Sequence, residues 1–424
     1  MAAQPVDLIE IGRTGLERFG GNVYEEFLPD LTGTRAVKVY REMSENDPVV
    51  GAFLFAIDML MRNVSWTVRP YSQRQEDLEA ADFLKSCMED MSMTWEDTIS
   101  EILSMLVYGW SYHEIVYKIR AGDSLDPSRR SRFADGRIGW RKLPIRAQES
   151  LYEWIFDEAG GIRGMVQQAP PDYELRTIPI EKALLFRTRA HKGNPEGRSI
   201  LRNAYRAWYF KRHIEEIEGI GIERDLAGLP VAWVPPKLLS PNATPAERML
   251  LEEIKRIIVN VRRDEQEGVI FPLMFDDNNN KVYDFTLLST GGQRQFNTDS
   301  IVARYDQRIA MTVMADFILL GHENVGSFAL SSSKTNLFAV ALGAWLQSIA
   351  GVFNRHAVPR LFELNGYRLE ALPQLEPGDI EVPDLQELGA YIQSLAGAGM
   401  PLFPDQALET YLRQVAGLPA PAFE

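Results

Sequence analysis

The sequence predicts an α+β fold built around long helices, with one small αβ module set between two of them. Three observations carry that expectation. Residues 198 to 223 place Ile200, Leu201, Ala204, Trp208, Ile214, Ile217 and Ile220 at an approximate helical period. A compact stretch bounded by Leu229-Pro230 and Gly291-Gly292 follows, and then a second helical run from about Asp299 to Leu319. Between Ile138 and Arg189, short alternating segments read as strands separated by turns.

In chain order, residues 1–36 are Gly-rich with scattered apolar positions and read as an arm that orders against a neighbour. From Val37 to about Arg62, apolar residues at Val49, Phe53, Ile57, Leu60 and Met61 mark a helical face. Asp47-Pro48 supplies a helix start, with Asp as cap and Pro in the first turn. Ser65 to Tyr71 alternates around Trp66 and Val68 as a strand does. Glu76–Met91 and Trp95–Val107 read as helices, the second with Thr94 and Asp97 as a capping pair. The chain turns at Gly109 and runs on as a strand to Ile119. Asp123 to Gly136 is polar and Arg-rich, the composition of a hairpin tip or mobile loop. Strands are expected at 140–143, 151–156, 164–168 and 183–187, with Gly160-Gly161 as a hairpin turn.

The central module is expected to open with a strand at Val231–Val234 and to continue with a helix from Thr244 to Arg263. Strands at 268–272 and 282–288 would flank Asp276-Asp277-Asn278-Asn279-Asn280. Gly321 to Ser333 carries little apolar weight and reads as a polar loop, and a further helix follows it. The tail has two short helical stretches, 385–398 and 405–415.

Composition narrows the function classes. A net charge of −14 and a pI near 5.1 argue against a protein that grips nucleic acid tightly, which needs clustered Lys and Arg. No run reaches about 18 uninterrupted apolar residues, and the best window is Val49–Met61, so no membrane partner is expected. One cysteine, Cys87, excludes an internal disulfide framework, and its position between Leu84 and Met88 reads as core. His113-Glu114 matches half of a zincin motif, but Tyr117 stands where the second His belongs, and an aromatic strand edge is the simpler reading. Gly219-Ile220-Gly221 ends in Arg224 rather than the last Gly of a dinucleotide fingerprint, and reads as a contact between packed helices. Asp276, Asn278 and Asn280 begin a calcium-loop pattern that Lys281 and Leu287 do not complete. The five His residues (113, 191, 213, 322, 356) lack metal-ligand spacing. No catalytic residue, metal or cofactor is therefore expected, and no enzyme. Arg198, Arg202 and Arg206 stand four apart, on one face of the expected helix, where they would meet acidic groups of a neighbouring subunit or phosphate, or form a plain solvated face.

Asp47-Pro48-Val49-Val50-Gly51, then Trp66-Thr67-Val68, then the run Ser104 to Ile115 and then Asn194-Pro195-Glu196-Gly197-Arg198-Ser199-Ile200-Leu201 follow one another in an order that resembles the portal proteins of tailed bacteriophages, in particular the Mu-like branch. The resemblance covers roughly residues 37 to 365 and implies a division of the chain. Residues 1–36 would be an N-terminal arm, 37–197 the wing, 198–224 and 292–318 the two stem helices, and 225–291 the clip. Residues 319–334 would be the tunnel loop, 335–365 a wing helix, and 366–424 a short crown-like region.

The resemblance further implies a homo-oligomeric ring of twelve subunits at one capsid vertex, through which double-stranded DNA enters and leaves. Its partners would be the terminase, the major capsid protein and a head–tail adaptor. DNA would face His322, Glu323, Asn324, Ser327, Ser331, Ser332, Ser333 and Lys334 of the tunnel loop. Lys255, Arg256, Arg262 and Arg263 would form the docking surface of the clip. A head–tail connector of another type is the alternative reading, with an α+β nucleotide-processing hydrolase behind it.

Overall fold

The computed structural model describes residues 12–227, 229–261, 284–288, 297–313, 328–380, 393–394 and 409. Backbone contacts divide the chain into two compact units, residues 1–205 with 309–424, and residues 206–308.

The first unit begins with the two-residue strands β1 (Arg18–Phe19) and β2 (Asn22–Val23). Contrary to the expectation of an arm that needs a neighbour, residues 17–32 are anchored on their own chain. The Trp154 N–H donates to the Gly21 carbonyl at 2.9 Å, Lys192 pairs with Glu25 at 3.0 Å, and the Arg18 guanidinium lies 4.0 Å above the Phe156 ring. Two helices follow, α1 (Gly33–Asn46) and α2 (Pro48–Arg62). They part at Asp47, whose carboxylate accepts the N–H groups of Val49 and Val50 at 3.0 Å each. Pro48 at the first helical position loses no bond there.

Next come β3 (Trp66–Arg69), α3 (Gln75–Glu89) and α4 (Trp95–Tyr108). Thr94 caps α4 by accepting the Asp97 N–H at 3.0 Å. Gly109 ends α4 in a left-handed conformation, φ +93°, and the chain turns into β4 (Trp110–Glu114). β5 (Val116–Ile119) pairs antiparallel with β6 (Ile138–Lys142). The polar stretch between them is the hairpin tip expected of it, and Asp90 holds its far side by accepting from Ser131 Oγ at 2.6 Å and from the Arg132 N–H at 2.8 Å. The same carboxylate pairs with the buried Lys118 at 2.9 Å.

β7 (Ile145–Arg146) and β11 (Ala183–Arg187) flank β4 in one antiparallel sheet. β8 (Leu151–Phe156), β9 (Ile162–Gln168) and β10 (Leu175–Pro179) form a meander. Asp157 closes the β8–β9 turn by accepting the Gly161 N–H at 2.7 Å. Because β4 is a central strand, His113 is not at a sheet edge; it is fully buried. Burial pushes the imidazole down to about 4, and its Nδ1 bonds the Leu143 carbonyl at 2.8 Å, so the neutral ring donates there. Cys87 is buried and its thiol is pushed up to about 11, as a core residue's should be.

The core has two aromatic foci. Trp110, Tyr112 and Trp154 meet edge to face, with Trp110 and Trp154 ring centres 4.9 Å apart. Phe353 gathers Trp95, Trp140 and Phe186 around it, at centroid distances of 5.0, 6.4 and 5.5 Å.

The second unit takes in most of the helix α5 (Tyr205–Ala227), the strand β12 (Leu229–Trp233) and the helix α6 (Pro245–Val261). It also holds the strand β13 (Asp284–Leu288) and most of the helix α7 (Thr298–Met311). The expected helix from Arg198 is shorter, because a single 3-10 turn (Ile200–Arg202) precedes α5. Within the unit, Phe210 stacks on Tyr305, Lys211 meets Asp306 at 2.6 Å, and Glu218 accepts from Thr298 Oγ1. Partners therefore retreat along α7 as α5 advances, and the two helices run antiparallel. β12 and β13 carry the same antiparallel sense onward, from Leu229 opposite Leu288 to Trp233 opposite Asp284. Among the described residues nothing lies within 4 Å of a Cβ built on Gly219, so no helix packs on that glycine there. The expected strand at 268–272, the Asp276–Asn280 turn, and Arg262 and Arg263 lie outside the described residues.

Back in the first unit, α8 (Phe328–Val352) runs through a π-helical turn at Phe353–Ala357 into α9 (Val358–Leu364), and β14 (Gln374–Pro377) pairs with β3. The helix begins before the expected end of the polar loop, so Ser331, Ser332, Ser333 and Lys334 are helical. Residues 337–364 form helix that is long and apolar enough to cross a membrane by length and composition. Phe338, Leu342, Leu346, Ile349 and Phe353 turn part of that apolar surface into the core, while Leu337 and Val340 stay exposed. The expected tail helices lie outside the described residues, apart from helical backbone at 393–394 and 409.

Candidate functional site

Two of the segments that carry the portal-like pattern, 104–115 and 194–201, meet in the first unit at the root of α5, where the chain is fixed just before that helix. At its centre two glycines cross. Gly109 sits at φ +93° and Gly197 at φ +57°. A Cβ on Gly197 would lie closer than 3.0 Å to the Gly109 carbonyl oxygen, and a Cβ on Gly109 equally close to the Glu196 carbonyl oxygen. The pattern N-P-x-G-x-S-x-L needs its glycine because another backbone passes over it.

Side chains on either side lock the crossing. Asn194 accepts the Glu196 N–H at 2.8 Å, a local turn bond. Thr188 Oγ1 donates its one proton to the Arg198 carbonyl at 2.5 Å, and the Thr188 N–H donates to the Gly109 carbonyl at 3.1 Å. Ser199 donates to the Val107 carbonyl near the end of α4, and its oxygen accepts the Leu201 N–H at 3.0 Å, starting the 3-10 turn. Leu201 and Ala204 are fully buried beneath it.

The three arginines expected on one helical face are not on one helix. Arg198 and Arg202 belong to the root, and Arg206 lies in α5. Arg202 makes a two-pronged ion pair with Glu26 of the same chain, and Arg198 donates to Asn203 Oδ1 at 2.8 Å. The Arg206 guanidinium lies 5.9 Å over the Phe210 ring. The i, i+4, i+8 spacing misled because the helix starts only at Tyr205. Arg202 binds Glu26 of its own chain and so helps tie residues 17–32 to the root.

Beside the root is a cavity of about 320 Å³ lined by Glu25, Glu26, Tyr40, Tyr108, Glu196 and Arg202, among others. Glu196 is half-buried, and burial pushes its carboxyl up to about 7, opposed only by the Trp154 indole, which donates to it at 3.2 Å. The unfolded chain releases this proton near 4.5 and the folded chain near 7, so the folded state holds more protons in between. The stabilisation is full below the lower value and is lost as pH rises toward the higher one. His113 acts in the opposite sense, stabilising above 6.5 and losing effect as pH falls toward 4. Comparing Glu196→Gln with the parent at each pH isolates the carboxyl. We expect little difference at pH 5 and a gain for the variant on the order of 2 kcal/mol by pH 8, read from denaturant midpoints. A gain independent of pH would show that the carboxyl is solvated.

Among the other residues singled out in the sequence, Lys255 and Arg256 are exposed on α6 and pair within the helix to Glu252, at 2.8 Å, and to Glu253. His322, Glu323, Asn324 and Ser327 lie outside the described residues. No group of three or more acidic, His or Cys side chains is placed to hold a metal ion among the described residues. Sequence reasoning missed Glu26, Thr188 and Gly109 as parts of the root: Glu26 and Gly109 lie far along the chain from the motif they serve, and Thr188, only ten residues before Arg198, falls outside the motif's pattern.

Solved structures share this architecture of small sheets and long helices. One is titled "Neck of empty GTA particle computed with C6 symmetry", with 14% identity, 95% of this chain and 96% of that chain covered, and a TM-score of 0.51. Another, "Virion of native gene transfer agent (GTA) particle", has 13% identity, the same coverage of 95% and 96%, and a TM-score of 0.51. The chain thus shares the fold of chains in those particles. Residues 37–413 match the family described as the portal protein of Mu bacteriophage, and the chain belongs to that family. It is a portal channel subunit, a component of a phage-type particle, and its family is one of structural proteins.

Proposed function

We propose that twelve copies of this chain close into a ring at the portal vertex of a capsid, after synthesis in the host cytoplasm. Double-stranded DNA passes through the channel during packaging and ejection, and the ring carries the head–tail attachment. The chain works as a structural part without cofactor or catalytic group. The observation that carries the reading is the family match across residues 37–413, set beside a neck structure of the same fold titled with C6 symmetry. The terminase, the major capsid protein and a head–tail adaptor are the partners this function requires.

Within that reading, His322, Glu323, Asn324 and Ser327, with Ser331, Ser332, Ser333 and Lys334 in the first turns of α8, face the channel. Lys255, Arg256, Arg262 and Arg263 form a docking surface for the motor and the adaptor. The exposed pairs of Lys255 and Arg256 fit that role, because surface ion pairs are worth about 0–1 kcal/mol and exchange partners readily. Of the three arginines proposed for the stem, Arg202 is already paired with Glu26 of its own chain, and the exposed Arg198 and Arg206 are the ones placed to meet a neighbouring subunit or phosphate.

Mass photometry and negative-stain microscopy of the purified chain test the proposal. The expected particle has a mass close to twelve times the 48.1-kDa chain and shows a central channel. Monomers or dimers at every concentration, with no rings in micrographs, would overturn it.

A further inference from the structure

β3 and β14 make a sheet of only two strands, and its two outer edges are treated differently. The Gly378 N–H donates to the Ser65 carbonyl at 2.8 Å, which sets the ladder. Antiparallel bonding alternates along a strand, so Ser65, Thr67 and Arg69 face β14, while Trp66 and Val68 turn N–H and C=O the other way. On β14 the outward residue is Leu375, and Asn354 closes that edge: its side chain accepts the Leu375 N–H at 2.8 Å and donates to the Leu375 carbonyl at 2.9 Å. The outward backbone groups of Trp66 and Val68 have no such partner among the described residues.

That open edge borders a groove of about 690 Å³, lined by Trp66, Val68, Met88, Met91, Met93 and Trp95 among others. Trp66 and Trp95 meet edge to face at 5.6 Å, and the indole N–H of each is buried with no hydrogen-bond partner among the described residues. Asp82, Lys85, Glu89 and Arg132 also line the groove, so it is a mixed surface with Met and Trp pockets. A strand edge with spare donors and acceptors beside such a groove is the form that accepts an added peptide strand, with backbone bonds on one side and side-chain pockets on the other.

We propose that this edge takes an extended segment from a second copy of the chain, residues Val6–Ile11. The segment Val6-Asp7-Leu8-Ile9-Glu10-Ile11 has three β-branched residues and no Gly or Pro, and its six residues more than match the four of β3. The following residues are anchored at the root cavity, which Tyr108 lines at the C-terminal end of α4, whereas Trp95 lines the groove at the N-terminal end of that helix. A helix of 14 residues separates the two by about 20 Å. A segment leaving one copy's root for another copy's groove joins unlike surfaces, as a closed ring requires. The inference rests on the ring reading above.

The test places benzoylphenylalanine at Leu8 of the full chain and irradiates the assembled particles. Denaturing gels should show a ladder of covalent multimers, with the cross-link mapped by mass spectrometry to residues 64–96. Val68→Pro removes one outward N–H without touching a β14 bond, a change that an edge strand tolerates, and should reduce the ladder at least tenfold. Met91→Lys should do the same from the groove side. Intact rings with no cross-link, or with a product of monomer size, would overturn the proposal and leave the ring reading standing. If no rings form, the ring reading fails on its own. The edge is then tested with a fluorescein-labelled peptide of residues 1–12 added to the chain lacking residues 1–11. Binding that weakens tenfold or more in Val68→Pro supports the edge site, and absent or unchanged binding overturns it.

Discussion

Gly197→Ala should be among the most damaging single substitutions in the chain, costing roughly 3 kcal/mol or more in denaturant unfolding. Two effects add. The position is at φ +57°, and an L residue there costs about 1–2 kcal/mol. The new Cβ also lands closer than 3.0 Å to the Gly109 carbonyl oxygen, which is backbone and cannot rotate away. Relief would require Gly109 to move, and Gly109 is held by its own left-handed cap of α4 and by the Thr188 N–H. Gly193→Ala is the internal control. Its φ is +74°, but a Cβ there meets nothing within 4 Å, so it suffers the conformational cost alone. If both variants lose the same stability, the backbone crossing is not the constraint. A larger loss in Gly197→Ala, with protease cleavage appearing near residues 188–204, locates the damage at the root.

The sequence announced the local parts of this fold far better than the long-range ones. β8 and β11 have the bounds expected from their patterning, and the caps at Asp47 and Thr94 are made by the atoms expected of them. Those features are set within a few residues. β10 escaped notice because only Ile178 of its five residues is buried, which leaves no alternation to read. β14 escaped because its partner β3 lies some three hundred residues earlier and its last residue is Pro377, admissible only where no ladder N–H is needed. The motif Asn194–Leu201 was legible as a pattern, but its reason was not. The reason is the passage of Gly109 over Gly197, a contact between positions that nothing local relates. The arginine spacing shows the converse error: a sound helical rule, applied across a start that the chain delays to Tyr205, put Arg198 and Arg202 on a face they do not share.

The second large effect is expected at the ion pair of the other unit. Lys211 is 2% exposed and meets Asp306 at 2.6 Å from the antiparallel α7, while Glu215 is 3.9 Å away. A buried charge that loses its main partner usually costs about 3–5 kcal/mol, and the quarter exposure of Asp306 brings the expectation for Asp306→Ala to about 2–3 kcal/mol. The loss should be local. Hydrogen exchange should speed up along α5 and α7 within residues 206–308 and stay unchanged in β4, β8 and β11. Attraction within such a pair barely offsets the desolvation of both ions, so Lys211→Met with Asp306→Leu should recover most of the stability. That double variant then separates stability from assembly. If the pair serves only to hold two helices together, the recovered protein forms rings like the parent. If the recovered protein is stable but no longer assembles, the charges are needed for the contact between copies. A single Asp306→Ala change with no effect on exchange in either helix would remove the pair from both roles.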